Sequence, residues 1–314
     1  MRSVAVVAVF TLSTALRLPA QAPASFSTTP RLTGYFQPRF ETLGDTASFF
    51  LRRVRFAVEG NVTPWASYRA QIEMSTNGVG LVAAAPLAFS ATDVFIRLAH
   101  RAWGATVGQF KVPFSLESLL GASVLETSER SRIVNVAKRD LGVQADWTLA
   151  GRLVLQAALV DGEGPNRAVN PDNRMAYFAR TVVTPVKGLD LGGAFGGYSD
   201  SSGANVQGVY RAARWTARAE YIDGHNRRTQ VHTRGWYGLA GYYAIQQRVE
   251  LVGRVEQFDP SNLVATDRST GYLIGLQYFM RGDNFKILAD YEAFREQAVQ
   301  VSNNRGVVQM QVRW

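Results

Sequence analysis

Apolar and polar residues alternate along most of this chain. In GATVGQFKVP (104–113), Thr106, Gly108, Phe110 and Val112 share one face, and Ala105, Val107, Gln109 and Lys111 the other. In DLGVQADW (140–147), Leu141, Val143, Ala145 and Trp147 oppose Gly142, Gln144 and Asp146. A two-residue period predicts half-buried β-strands. The same period recurs earlier. Arg31–Thr42 sets Leu32, Phe36 and Phe40 against Tyr35, Gln37, Arg39 and Glu41, and Phe49–Gly60 sets Val54, Phe56 and Val58 against Arg53, Arg55 and Glu59. Trp65–Met74 sets Tyr68, Ala70, Ile72 and Met74 against Ser67, Arg69, Gln71 and Glu73, and Thr92–Arg101 sets Val94, Ile96 and Leu98 against Asp93, Phe95 and Arg97. Continued to the last residue, the pattern predicts about sixteen strands.

The connections sort into two lengths. Short turns are predicted at Asn61–Pro64, Ala102–Trp103, Ala150–Gly151, Pro185–Gly188, Ala212–Ala213, Gln246–Gln247 and Arg281–Asp283. Between them fall longer loops at Ser75–Ser90, Pro113–Arg139, Asp161–Asn173, Asp223–Thr233, Asp259–Arg268 and Gln297–Asn303. Short turns at one end and longer loops at the other describe a transmembrane antiparallel β-barrel. Strands of roughly 10 residues are long enough to cross a bilayer at a tilt.

The faces decide between a barrel in lipid and a soluble sandwich. Arginine and carboxylate share the polar face of successive strands: Arg69 with Glu73, Arg218 with Glu220, Arg254 with Glu256. In a dry core each would cost several kcal/mol unless paired; facing a wet lumen the cost is small. The last strand alternates Val308, Met310, Val312 and Trp314 with Val307, Gln309, Gln311 and Arg313. Its pairing with the first strand would leave no edge in lipid. Trp65, Trp103, Trp147, Trp215, Trp236 and Tyr221 near strand ends fit interfacial girdles.

Composition adds export and excludes nucleic acid. Arg2, the apolar run Val4–Leu16 and Ala20-Gln21-Ala22 predict a cleaved signal over 1–22, followed by a spacer over 23–30 and the barrel over 31–314. The 314 residues carry a formal charge of +9 and no cysteine, so no disulfide framework is expected. The basic residues are spread among strands, with no basic helix or stacking motif to bind nucleic acid.

The connection Pro113–Arg139 is long, about 27 residues, and dense in charge, which in a strand-rich chain points to function. Its phrases GQFKVPFSLE, LETSERS and KRDLGVQ, with LRRVRFAVEGNVTPWASYRAQIE upstream, resemble the phosphate-selective porin O and P family. The resemblance implies a bacterial outer-membrane barrel whose third outer loop folds inward as a constriction, and a homotrimeric assembly. Glu117, Glu126, Glu129, Arg130 and Arg132 of that loop would then face a wall carrying Arg53, Arg55, Arg69, Arg97 and Lys111. Guanidinium forks suit anions, while mixed signs favour dipolar solutes. In this family phosphate preference rests on a lysine cluster, and lysine here is confined to Lys111, Lys138, Lys187 and Lys286.

Other chemistry is sparse. The chain lacks a P-loop, GxSxG and HExxH. Gly192–Gly197 lacks the spacing of a dinucleotide fingerprint and reads as room for packing within a strand. No cofactor or metal is expected: the Asp161–Asp172 loop offers oxygens without an EF-hand's spacing. Asp223 with His225 and His232 is the one candidate for hydrolysis at a barrel rim. The expectation is thus a porin passing small anionic or polar solutes through the lipid of the outer membrane. A plugged or structural barrel is the alternative, and a rim hydrolase a remoter one.

Overall fold

The computed structural model describes residues 27–76, 87–134, 139–167 and 169–314. The predicted signal, most of the Ser75–Ser90 connection and Lys138 lie outside them. Sixteen strands follow in order: β1 (Arg31–Leu43), β2 (Thr46–Thr63), β3 (Ala66–Thr76), β4 (Leu87–His100), β5 (Trp103–Lys111), β6 (Arg139–Leu149), β7 (Leu153–Val160) and β8 (Ala176–Val186). The second half holds β9 (Leu189–Tyr198), β10 (Ser201–Arg211), β11 (Trp215–Asn226), β12 (Val231–Ile245), β13 (Val249–Asp259), β14 (Ser269–Phe279), β15 (Phe285–Glu296) and β16 (Arg305–Arg313). Each pairs antiparallel with its neighbours in sequence. β16 closes on β1 through partners from Tyr35–Arg313 to Leu43–Arg305, so the barrel has no free edge.

Side chains are distributed as a lipid-facing barrel requires. Phe56, Ile72 and Val143 stand 41%, 49% and 49% exposed, whereas Arg55 is 8% exposed. On β16, Val308, Met310 and Trp314 point out, and Val307, Gln309 and Gln311 are buried within. Trp103 stacks on Trp147 with ring centroids 5.7 Å apart, and Trp215 meets Tyr242 at 4.5 Å, all at the end bearing the short turns. Both the first residues of β1 and the last of β16 lie at that same end.

Three details differ from the sequence reading. β11 and β12 run on through most of the predicted Asp223–Thr233 loop, pairing His225 with His232 and leaving only 227–230 as the connection. Two connections at the loop-bearing end are tight, 44–45 and 199–200. On β5, Val107 faces outward, 50% exposed, yet Gln109 two residues on is buried and donates inward to the Ala91 and Thr92 carbonyls. Gly108 between them has φ +125°, and a Cβ there would run into the Val94 carbonyl, so the position needs glycine.

A second irregularity turns two consecutive arginines inward. Opposite β1, the register slips between Gln37, paired with Arg53, and Pro38, paired with Leu51, leaving Arg52 as the extra residue of a bulge. Proline has no N–H to give the ladder, which suits the position. The consecutive Arg52 and Arg53 are both buried.

Candidate functional site

The connection from β5 to β6 is long enough to cross the barrel, and its side chains explain its path. Its root is apolar. Val112, Phe114, Ile133 and Val134 are buried in one cluster with Phe178 of β8, Ile222 of β11, Tyr237 and Leu239 of β12 and Val252 of β13. Phe114 meets Phe178 edge-on, centroids 6.2 Å apart. Ile133 lies over Gly235, where a Cβ would collide with it. Water leaves these surfaces as the loop docks, at roughly 25 cal/mol per Å².

Beyond Phe114 the loop turns polar. Ser115 caps the one-turn helix α1 (Leu116–Leu119), accepting from the Ser118 N–H. Glu220 of β11 accepts from the Leu116 N–H (2.9 Å), from the Ser115 hydroxyl (3.2 Å) and from Asn205 Nδ2 (2.7 Å). Arg218, on the same face, pairs with Glu117 at 3.3 Å and Glu126 at 2.8 Å. The chain then reaches the opposite wall. Gln311 of β16 donates to the Ser123 carbonyl (2.9 Å) and Lys286 of β15 to that of Leu125 (3.1 Å). The Ser128 N–H donates to Asp290 of β15 at 2.6 Å.

Glu129 is the centre of this seat. It pairs with Arg52 at 2.5 Å, Arg39 at 2.8 Å and Arg53 at 2.9 Å, while Arg254 of β13 donates to its carbonyl at 2.9 Å. Burial alone would raise the Glu129 carboxyl; Arg53, Arg52 and Arg39 outweigh it and hold the group well below the usual carboxylate range. Arg130 turns back on the loop itself, donating to the Glu117 (2.8 Å) and Leu120 (2.7 Å) carbonyls. Burial, with the Arg53 guanidinium beside it, pushes Arg130 down to about 10. Arg132 leaves along β13 and β14, donating to Ser269 at 2.8 Å, with its guanidinium 3.7 Å over the Phe294 ring.

The five wall cations expected to meet the loop divide. Arg53 meets Glu129, and Lys111 donates to the carbonyls of Ser118, Leu119 and Leu120 at 2.9, 3.1 and 2.7 Å. Arg55, Arg69 and Arg97 pair instead with Glu73, Glu59 and Asp146 on neighbouring strands. A model of the phosphate-selective porin O and P family matches residues 33–220, more than half of the chain.

The chain belongs to that family. It lies in the bacterial outer membrane, with the long loops at the outer mouth and the short turns toward the periplasm. It is similar to an uncharacterised protein of Caulobacter vibrioides, 28% identical over 148 residues, which is 44% of this chain. The chain spans 28% of the length of that curated relative. Among solved structures it resembles the trimer form of OmpT, an outer membrane protein of Vibrio cholerae (TM-score 0.65, 11% identity, 91% of this chain and 99% of that one). It also resembles a mutant of the Rh. blastica porin (0.64, 16%, 91% and 100%) and the outer membrane channel DcaP of Acinetobacter baumannii (0.64, 11%, 91% and 97%). At these identities the likeness is one of fold.

Several residues that seat the loop in this porin were not singled out as loop partners from sequence. Arg39, Arg218, Arg254 and Glu220 sit on polar faces the period already marked, but a period does not say which far strand a side chain meets. Arg52 was hidden for a different reason: strict alternation sends one of two consecutive arginines outward, and only the bulge at Pro38 keeps both inside. At the rim, His225 stacks on His232 with centroids 4.1 Å apart, while Asp223 pairs with Arg234 at 2.8 Å. Asp223 therefore orients Arg234 and makes no hydrogen bond with His225.

Proposed function

We propose that this protein is a passive channel for small hydrophilic solutes, biased toward oxyanions such as phosphate, and that it works as a trimer. The observation that carries the reading is the inverted wall: apolar side chains outside and a charged, hydrogen-bonded lining within a closed sixteen-stranded barrel. A barrel of that size encloses more space than its own side chains fill, so the inward loop sets the bore. The anion bias draws on the family to which the chain belongs. The trimer draws on the OmpT relative, whose structure is a trimer form. Enzymatic chemistry has less support, since Asp223 is engaged by Arg234 and not by His225.

One observation favours a second reading. The loop is bound to β1, β2, β11 and β13–β16, far more of the wall than its root requires. A barrel so bridged could serve as a plugged, structural element. Planar bilayers separate the two. Stable, salt-dependent current from folded protein, with a reversal potential in a potassium chloride gradient that marks anions as the faster ions, supports the channel. A folded barrel that carries no current supports the plug.

A further inference from the structure

Among the described residues, the inner faces of β3, β4, β6, β7, β8 and β9 give the loop no hydrogen bond. Their polar side chains pair with each other instead, and several stay partly in water: Arg97 with Asp146 across β4 and β6, 36% and 13% exposed, and Arg69 with Glu59 across β3 and β2, 30% and 22% exposed. The loop's root does pack on Phe178 of β8, in one cluster with Ala158 and Val160 of β7; away from that contact, the partly exposed polar side chains of this wall line the water beside the loop. Arg55, Arg69, Arg97 and Arg139 along it are each neutralised by a carboxylate one or two strands away. Arg180 of β8 is not.

Its Nη1 donates to Gln156 Oε1 at 2.8 Å, and no described carboxylate lies within ion-pair distance of it. The Arg180 Nε is without a partner. The two carboxylates whose charge reaches it are already engaged: Glu220 accepts from Leu116, Ser115, Glu117 and Asn205, and Asp190 from Thr184 and Arg211. Lys111 and Arg130 also lack a carboxylate, but they spend their donors on loop carbonyls. In Arg180 the Nε is buried and Nη1 is taken by Gln156, which leaves Nη2 without a hydrogen bond on a partly exposed side chain.

Building on the channel reading, we propose that Arg180 determines the anion preference, its unbonded Nη2 engaging oxyanions, phosphate or carboxylate, as they pass the loop. The paired arginines present no net charge to a solute, so they line the path without selecting.

The chain contains no cysteine, so Arg180→Cys introduces a single thiol into the full-length protein. In planar bilayers under a potassium chloride gradient, loss of a charge that the passing ion meets should lower the anion-to-cation permeability ratio at least about twofold. A cationic methanethiosulfonate reagent should restore the ratio in the same channels, and an anionic one should lower it further. The double variant Arg97→Gln with Asp146→Asn removes one charge of each sign and should leave the ratio unchanged. In wild-type protein, inorganic phosphate at constant ionic strength should slow the chloride current.

An unaltered ratio in Arg180→Cys, indifference to both reagents, or a wild-type current insensitive to phosphate would each overturn the assignment while leaving a channel. Absence of current from folded wild-type protein would instead remove the channel reading, and Arg180's role with it.

Discussion

The two ends of the inward loop are held by opposite kinds of chemistry. At the root, Phe114 and Ile133 rest on Phe178, Tyr237 and Leu239, a dry patch inside a barrel whose lining is otherwise polar. At the far wall, Glu129 rests in three guanidiniums and Ser128 on Asp290. Apolar contact holds without specifying an angle, because dispersion and water release are not directional. Ion pairs hold only in one geometry, because a buried charge that misses its partner costs several kcal/mol. The root thus supplies adhesion and the tip supplies position. A bore of fixed size needs both.

Breaking the tip should have the largest effect. Glu129→Ala strands Arg52 and Arg53 without a carboxylate and leaves Arg39 to Glu41 alone, and removal of one member of a buried cluster costs about 3–5 kcal/mol. The expected outcome is a lower unfolding temperature of the detergent-solubilised barrel, read by heat-modifiable electrophoresis, and a larger, noisier single-channel conductance. Unchanged conductance would show that the tip does not set the bore. Breaking the root should cost slightly less: Phe114→Ala removes a buried ring, about 3 kcal/mol. It should lower the same unfolding temperature while leaving Glu129 seated, so mean conductance changes little and closures become more frequent.

Acid sharpens the comparison, because only the tip titrates. The folded Glu129 carboxyl lies well below its unfolded value of about 4.3, so its stabilisation is complete above that value and is lost as pH falls below it toward the depressed folded value. Conductance should hold from neutrality to about pH 5 and depart only in stronger acid, with the Phe114→Ala protein following the same profile. A departure already at pH 6 would place the sensitive group elsewhere. The smallest effect belongs to the open wall. Arg97 is more than a third exposed, so Arg97→Ala should cost no more than about 1 kcal/mol, within the scatter of the electrophoretic assay.

Much of the barrel could be read from residue order because β-structure leaves a signature of period two, and lipid on one side with water on the other makes that signature strong. The closing strand was visible for the same reason: Val308, Met310 and Trp314 could only face out if Gln309 and Gln311 faced in. The loop was visible as length and charge. Its partners were not, since Arg55, Arg69 and Arg97 look equivalent to Arg53 in the strand pattern yet pair within the wall. Arg180 carried no signal at all, because what distinguishes it is the absence of a partner.

The order of residues by itself determined that the chain would close into a membrane barrel with its charges inside, because alternation is local and solvent sorts the two faces. Which charges meet across the lumen was decided only in three dimensions. Glu129 and Arg39 are distant in sequence, and their encounter depends on the reach of a loop seated on Phe178; a bulge then brings Arg52 to the same carboxylate. Neither is a property of a single strand.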